Sequence, residues 1–196
     1  MLSNRIAVAV LASLVVAAVG CSRDAKSDDA GDVAAAASAA PAAPAPALDD
    51  PTIVAIFDGA NTVDIETGKL AVERGSTKEI RDFGAMLARD HAAVQQQGRD
   101  LAQRLGVTPT PPADDASARA HAEAMTMLRA KQGAEFDRAF LAHEVAFHQA
   151  VIDAITKTLL PAIKNPELAD LVTKVAPAFQ AHLIAAQNLQ KKIAAE

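Results

Sequence analysis

Three histidines, His91, His148 and His182, fall on the apolar lanes of three separate helical stretches, each with apolar residues three or four positions to either side. Each lies near the middle of its stretch. Three rings so placed meet at one level of a bundle, to within about a turn of 5.4 Å, whether neighbouring helices run parallel or antiparallel. A fourth stretch carries Asp64 and Glu66 near its own middle, and Glu144 stands one turn before His148 on the same helix face. A layer of imidazoles and carboxylates inside a bundle suits a divalent transition metal such as Fe, Zn, Cu or Mn, whose bonds offset the cost of burying those groups. The alternative is a polar layer in which each ring hydrogen-bonds a carboxylate or carbonyl and fixes helix register. The ligand pattern is irregular, which favours the second reading. A di-iron bundle uses Glu-x-x-His on two helices, but the residues three before His91, His148 and His182 are Ala88, Val145 and Phe179. His121 and His143 read as boundary positions, and Asp90 reads equally as a ring-orienting or a surface residue.

The elements that must position this layer follow from periodicity. Asp50-Pro51 starts a first helix with Asp50 as its cap and the lane Ile53, Ile56, Ala60, Val63, Thr67 and Leu70, ending near Gly75. Ser76 or Thr77 starts a second, with the lane Ile80, Phe83, Leu87, His91, Val94, Gly98, Leu101 and Leu105, closed by Gly106 and the Pro-rich run after it. Asp114 or Asp115 caps a short connecting helix with Met125 and Leu128, broken by Gly133. A third long helix spans residues 134–160, with Leu141, Val145, His148, Ile152, Ile155 and Leu159, and is stopped by Pro161. A fourth starts at Asn165 with Leu168, Val172, Val175, Phe179, His182, Ala186, Leu189 and Ile193, and is expected to kink at Pro177. Two short links and one long one predict an all-α four-helix bundle over residues 50–196, with a long crossover containing an extra helix.

Composition supports an all-α domain: aromatics are 3% of the chain and Trp and Tyr are absent, while 51% is hydrophobic and Ala-rich. The net charge of −5 comes without a basic cluster, so nucleic acid is not an expected partner. No glycine-rich phosphate loop and no Gly-x-Ser-x-Gly elbow is present, and the one cysteine lies outside the bundle. The chain therefore reads as a non-enzymatic protein.

The first fifty residues read as address and tether. Arg5 precedes an apolar run over residues 6–19 of signal-peptide length, and residues 1–20 are expected to be cleaved as a signal. Ala18-Val19-Gly20-Cys21 resembles the lipobox of bacterial lipoproteins, which would make Cys21 a lipidated N-terminus; ordinary secretory cleavage is the alternative. Residues 21–49 are rich in Ala and Pro and suit an extended spacer. Ser22 resembles the sorting pattern for the outer membrane. The expected location is the cell envelope, as an outer-membrane lipoprotein facing the periplasm or else soluble in the periplasm, with an envelope protein as a candidate partner.

The bundle segments resemble the bacterial domain-of-unknown-function 4142 family of exported or lipid-anchored proteins. The residues that carry the resemblance are Asn61 to Ala71 (NTVDIETGKLA), residues 72–86 with Phe83, then Asp90-His91, Gly133-Ala134-Glu135-Phe136-Asp137 with Phe140 and His148, and Ala176-Pro177 with His182-Leu183. The resemblance implies a ferritin-like bundle and brings no established activity. Two departures stand out: the family has Glu where this chain has Asp64, and Tyr where it has Phe140. The shorter Asp64 would reach less far into a metal site. Two functional readings remain, a structural, stress-related or interaction module of the envelope, favoured by the irregular ligand pattern, and a metal-binding ferritin-like protein.

Overall fold

A computed structural model of the protein describes residues 48–195. The signal sequence, Cys21 and the tether up to residue 47 lie outside the described residues. The elements are α1 (Asp50–Arg74), α2 (Lys78–Leu105), α3 (Ala116–Arg129), α4 (Gly133–Ala154), a π-helical turn (Ile155–Leu159), α5 (Leu160–Ala162) and α6 (Pro166–Ala194). No strand occurs among the described residues, and no helix there is long and apolar enough to cross a membrane. The expected helical bundle is what forms.

Polar contacts at the helix ends give the directions. Arg104 at the end of α2 pairs with Glu167 at the start of α6, and the Thr110 amide donates to the Pro51 carbonyl, so one end of the bundle holds these termini. At the other end Glu79 pairs with Lys192, Arg74 donates to the Arg129 carbonyl, and Ser76 donates to Asp137. Hence α1, α3 and α6 run one way, and α2 and α4 the other. The hairpins α1–α2 and α4–α6 are the closest pairs; α2 touches α6, α1 touches α4, and the crossover α3 lies against α1 and α4.

Local chemistry explains the boundaries, with three corrections. The cap of α1 is Asp49, which accepts from the Thr52 amide, one residue before the expected Asp50. Asp50 instead turns its carboxylate to the Lys164 and Asn165 amides, tying the start of α1 to the start of α6. Secondly, the helix of α4 does not stop at Pro161. It widens into the π turn, where the Leu160 amide reaches back five residues to Ile155, and the unbroken helix runs one residue past Pro161 to end at Ala162. Thirdly, Glu66 points outward from α1, because the buried face of that helix runs through Phe57, Asn61 and Asp64 rather than Ile56 and Ala60. Thr77, Asp115 and Asn165 cap α2, α3 and α6 as their side-chain oxygens predict, Gly106 closes α2 in the left-handed conformation, and α6 contains Pro177.

The core is divided in two. One apolar cluster gathers Ile53, Phe57, Leu101, Ile155, Val172 and Phe179 at one end. The other gathers Leu70, Ile80, Leu87, Phe136, Phe140 and Ala186 at the opposite end. Between these clusters each long helix buries polar residues, Asn61, Asp64 and Thr67 on α1, His91 and Gln95 on α2, Glu144 and His148 on α4, and His182 on α6, with the apolar Val63 and Leu183 buried among them in sequence.

Candidate metal centre

This middle layer contains all five residues that the sequence marks as candidate ligands, His91, His148, His182, Asp64 and Glu144, and none is more than 5% exposed. One ring nitrogen from each histidine lies within 4.8 Å of one from each of the others, and Asp64, Glu144 and His148 form a second such group that shares His148. The ring centroids of the three histidines are 5.0–5.6 Å apart. Phe179 packs against His91 and His148 and closes the layer on one side.

Each ring is aimed by an acceptor on its outer side. Asn61 uses its amide N–H on the Phe57 carbonyl, which leaves its oxygen, 3.0 Å from His91 Nδ1, to accept from that ring. His148 Nδ1 lies 3.0 Å from the Glu144 carbonyl and donates to it. His182 Nε2 lies 3.3 Å from the Asp90 carboxylate. Burial pushes the Asp90 carboxyl up, but hydrogen bonds from Arg89 and His182 outweigh it and hold the group below its ordinary value, so it is ionised and accepts a hydrogen bond from the His182 Nε2–H. With these three protons facing outward, the nitrogens left with lone pairs are His91 Nε2, His182 Nδ1 and His148 Nε2. The first two are 3.1 Å apart, and the third has no hydrogen-bond partner. Two lone pairs facing each other at that distance repel unless a proton or a cation lies between them. Tetrahedral bonds of about 2.0–2.1 Å to one ion place two nitrogens roughly 3.4 Å apart, close to the spacing here.

The charges in this layer are suppressed. Burial first, then the neighbouring His182 and His148, lowers His91 to about 3. Burial also lowers His148 to about 4 and lowers His182. Burial raises Asp64 well above its ordinary value, with Glu144 adding to the rise, and burial raises Glu144 to about 7. The approaches of Asp64 to His91 (3.4 Å) and His148 (3.8 Å), and of Glu144 to His148 (3.5 Å), are therefore contacts between largely uncharged groups and not ion pairs. Both oxygens of Asp64 and both of Glu144 lack a geometrically sound hydrogen-bond partner, although Asp64 and Glu144 lie close enough to act on each other's protonation and Thr67 lies beside Glu144. Each such buried atom costs about 1–3 kcal/mol. A purely hydrogen-bonded layer would leave few atoms in that state, whereas a divalent cation accepts nitrogen and carboxylate donors together. The residues present thus fit a metal ion, and Asp64, despite being shorter than Glu, reaches both rings.

Sequence reasoning left Asn61 without a role and divided Asp90 between two. Both orient rings, and Asp90 serves His182 on another helix rather than its neighbour His91. The signal for Asn61 lay in its spacing: it stands three residues before Asp64 and four after Phe57, on the buried face. Glu66 lies outside the layer, where it pairs with His121 at 2.8 Å.

The fold is similar to that of CopM, solved in its Cu(II)-bound form, with a TM-score of 0.55 and 16% sequence identity, covering 74% of this chain and 98% of that one. No curated protein matches the chain. The family model described as domain of unknown function (DUF4142) matches residues 34–189, the whole span that builds the layer, and the chain belongs to that family.

Proposed function

We propose that this protein is a metal-binding helical bundle that holds one divalent transition-metal ion in its middle layer through His91, His148 and His182, with Asp64 or Glu144 completing the ligand set. The observation that carries this reading is the convergence of three buried imidazoles whose outer nitrogens are occupied by Asn61, Asp90 and the Glu144 carbonyl. Metal-bound histidines are oriented in this way. Copper is the first ion to test, since imidazole-rich sites bind Cu(II) most strongly among the divalent first-row metals, and the similar CopM was solved with Cu(II). A site buried to this depth admits an ion and excludes a larger substrate, which supports holding or carrying a metal over catalysis. The lipobox-like Ala18-Val19-Gly20-Cys21 supports an envelope location, with the bundle tethered to the outer membrane through Cys21.

The test is a thermal melt and a metal titration of chelator-treated protein. Copper or another binding ion should raise the melting temperature, by about 2.7 kcal/mol of added stability at a hundredfold excess over Kd. Replacing any one of His91, His148 or His182 by Ala should abolish tight binding. If no metal shifts the melt and the triple Leu variant is more stable than wild type, the layer is a register device and the metal reading fails.

A further inference from the structure

Of the contacts that surround the three core rings, most are sealed and one is open. Asn61, fully buried, covers His91; the Glu144 carbonyl lies against His148; and Phe179 packs on both rings. Phe147 adds an apolar ring edge-on to His148. His182 differs. Its Nε2 lies 3.3 Å from Asp90 across the seam between α6 and α2, and 34% of the Asp90 side chain is exposed, against 6% for His182 and 2% for His91. Among the described residues with a hydrogen bond or ion-pair contact to a core ring, Asp90 alone is open to water to this extent. Its two oxygens face opposite ways. Oδ2 meets His182, while Oδ1 accepts from Arg89 Nε at 2.8 Å, and the Arg89 side chain stands in solvent. Inside, the other nitrogen of His182, Nδ1, lies 3.1 Å from His91 Nε2. Arg89, Asp90, His182 and His91 therefore form one continuous line from solvent to the layer, and His182 spans the last step with one nitrogen at each end.

We propose that this line is the loading route of the core site: a hydrated divalent cation is held first at the Asp90 carboxylate and then taken up by His182, while Arg89 competes for Asp90 and opposes the incoming charge. The inference rests on the core metal reading and adds the path by which so deeply buried a site is filled. An anionic group at the mouth of a low-dielectric passage concentrates cations there and raises their rate of entry. His182 is the ring suited to receive the ion. Its outer hydrogen bond, at 3.3 Å, is the longest of the three that aim the rings, against 3.0 Å for His91 and for His148. Its inner neighbour is another lone pair, so turning the ring to bring Nδ1 toward Asp90 relieves a repulsion. The competing reading is that Asp90 only orients His182, which gives no role to the exposure of Asp90 or to Arg89. A second surface pair, Asp58 with Arg99, offers an internal control: Arg99 donates to both Asp58 oxygens, and the neighbouring buried side chain is Gln95 rather than a core ring.

The experiment mixes chelator-treated full-length chain with Cu(II) in a stopped-flow instrument and follows Cu(II) absorption at low and high salt, for wild type, Asp90→Asn, Arg89→Gln and Asp58→Asn. The phase absent from His182→Ala reports filling of the core. Asp90→Asn keeps an oxygen that accepts from His182 but loses the charge. It should slow this phase about tenfold at low salt, with the deficit shrinking at high salt as the exposed charge is screened. Arg89→Gln, which touches no ring, should speed it about threefold. Asp58→Asn should leave it unchanged. If Asp90 only orients the ring, association keeps its wild-type rate in both Asp90→Asn and Arg89→Gln. Metal-free protein supplies a second readout: diethyl pyrocarbonate, with the modified residues mapped by mass spectrometry, should label His182 before His91 and His148. Association unchanged in both variants, or His182 labelled no sooner than the other two rings, overturns the route while the core site stands. A wild-type chain with no His182-dependent phase overturns the core reading and the route together.

Discussion

Asn61 and Asp90 hold His91 and His182 as the Glu144 carbonyl holds His148, and their effects can be measured separately from those of the rings. Asp90→Ala removes the acceptor that keeps the His182 proton on Nε2. Metal affinity should fall roughly 10–100-fold while the fold, followed by circular dichroism, persists; unchanged affinity would show that the Asp90 contact is incidental. The carboxyls report through pH. Glu144 is raised from 4.5 to about 7, so its contribution to stability is complete below pH 4.5 and is lost as pH rises to about 7. His91 and His148 are lowered from 6.5 to about 3 and about 4, so theirs is complete above pH 6.5 and is lost as pH falls toward those values. The two effects oppose each other between pH 4.5 and 6.5. In metal-free protein, Glu144→Gln removes only the first, so the melting temperature of the variant relative to wild type should climb from pH 4.5 to about pH 7 and then level off. A difference that stays flat over this range would mean that Glu144 titrates as an ordinary surface carboxyl.

At the scale of elements, the layer depends on how closely α1 and α2 approach. A Cβ added to Gly84 would lie 2.6 Å from the Gly68 carbonyl oxygen and 2.6 Å from Ala71 Cβ, and one added to Gly68 would lie 2.6 Å from the Gly84 carbonyl. These two glycines let the backbones touch one or two turns from Asp64 and His91. Gly98 provides a similar notch, filled by the ring of Phe57. Gly84→Ala must push two backbones apart and should cost about 1–3 kcal/mol, seen as a fall in Tm of roughly 2–4 °C per kcal/mol. Gly59 is the internal control: its added Cβ meets nothing within 4 Å, so Gly59→Ala should stabilise by about 0.5–1 kcal/mol. Equal effects at both sites would refute the close-approach argument. Asp137 acts at the same scale. Buried on α4, it accepts from the amide and hydroxyl of Ser76 and so joins the α1–α2 turn to the second hairpin.

For the whole molecule, the polar layer is a partition between two apolar clusters to which every long helix contributes its middle. Removing the metal-ready atoms therefore affects all four helices together, and a metal at the layer would brace them together. The proposed anchor is tested at this scale too. Changing Cys21 to Ala should move the protein from the membrane to the soluble envelope fraction on cell fractionation, because two or more acyl chains are what make such anchoring stable. A Cys21→Ala protein still sedimenting with membranes would contradict the lipid tether.

By itself the sequence determined the four long helices, the crossover, the cap Asn165, the caps of α2 and α3 to within one residue, and the meeting of His91, His148 and His182. Helical periodicity and the distance of a residue from its helix ends fix which residues share a face and a level, and both can be counted along the chain. The tertiary structure alone decided which nitrogen of each ring points inward, because that depends on acceptors from other helices or from an earlier turn: Asn61 on α1 for His91, and Asp90 on α2 for His182. It also decided that Asp64 enters the layer while Glu66, two residues on, faces solvent. Two residues along a helix turn a side chain through about 200°, and where the buried stripe falls on α1 is set by its packing partners rather than by its own weakly amphipathic sequence. The passage of the chain through Pro161 by a π turn was likewise beyond local rules, since it exchanges one hydrogen-bond register for another within a packed helix. The sequence specifies the frame through short-range periodicity, and the chemistry of the layer comes from contacts between residues 30 to 92 positions apart, such as His91 with Asn61 and His182 with Asp90.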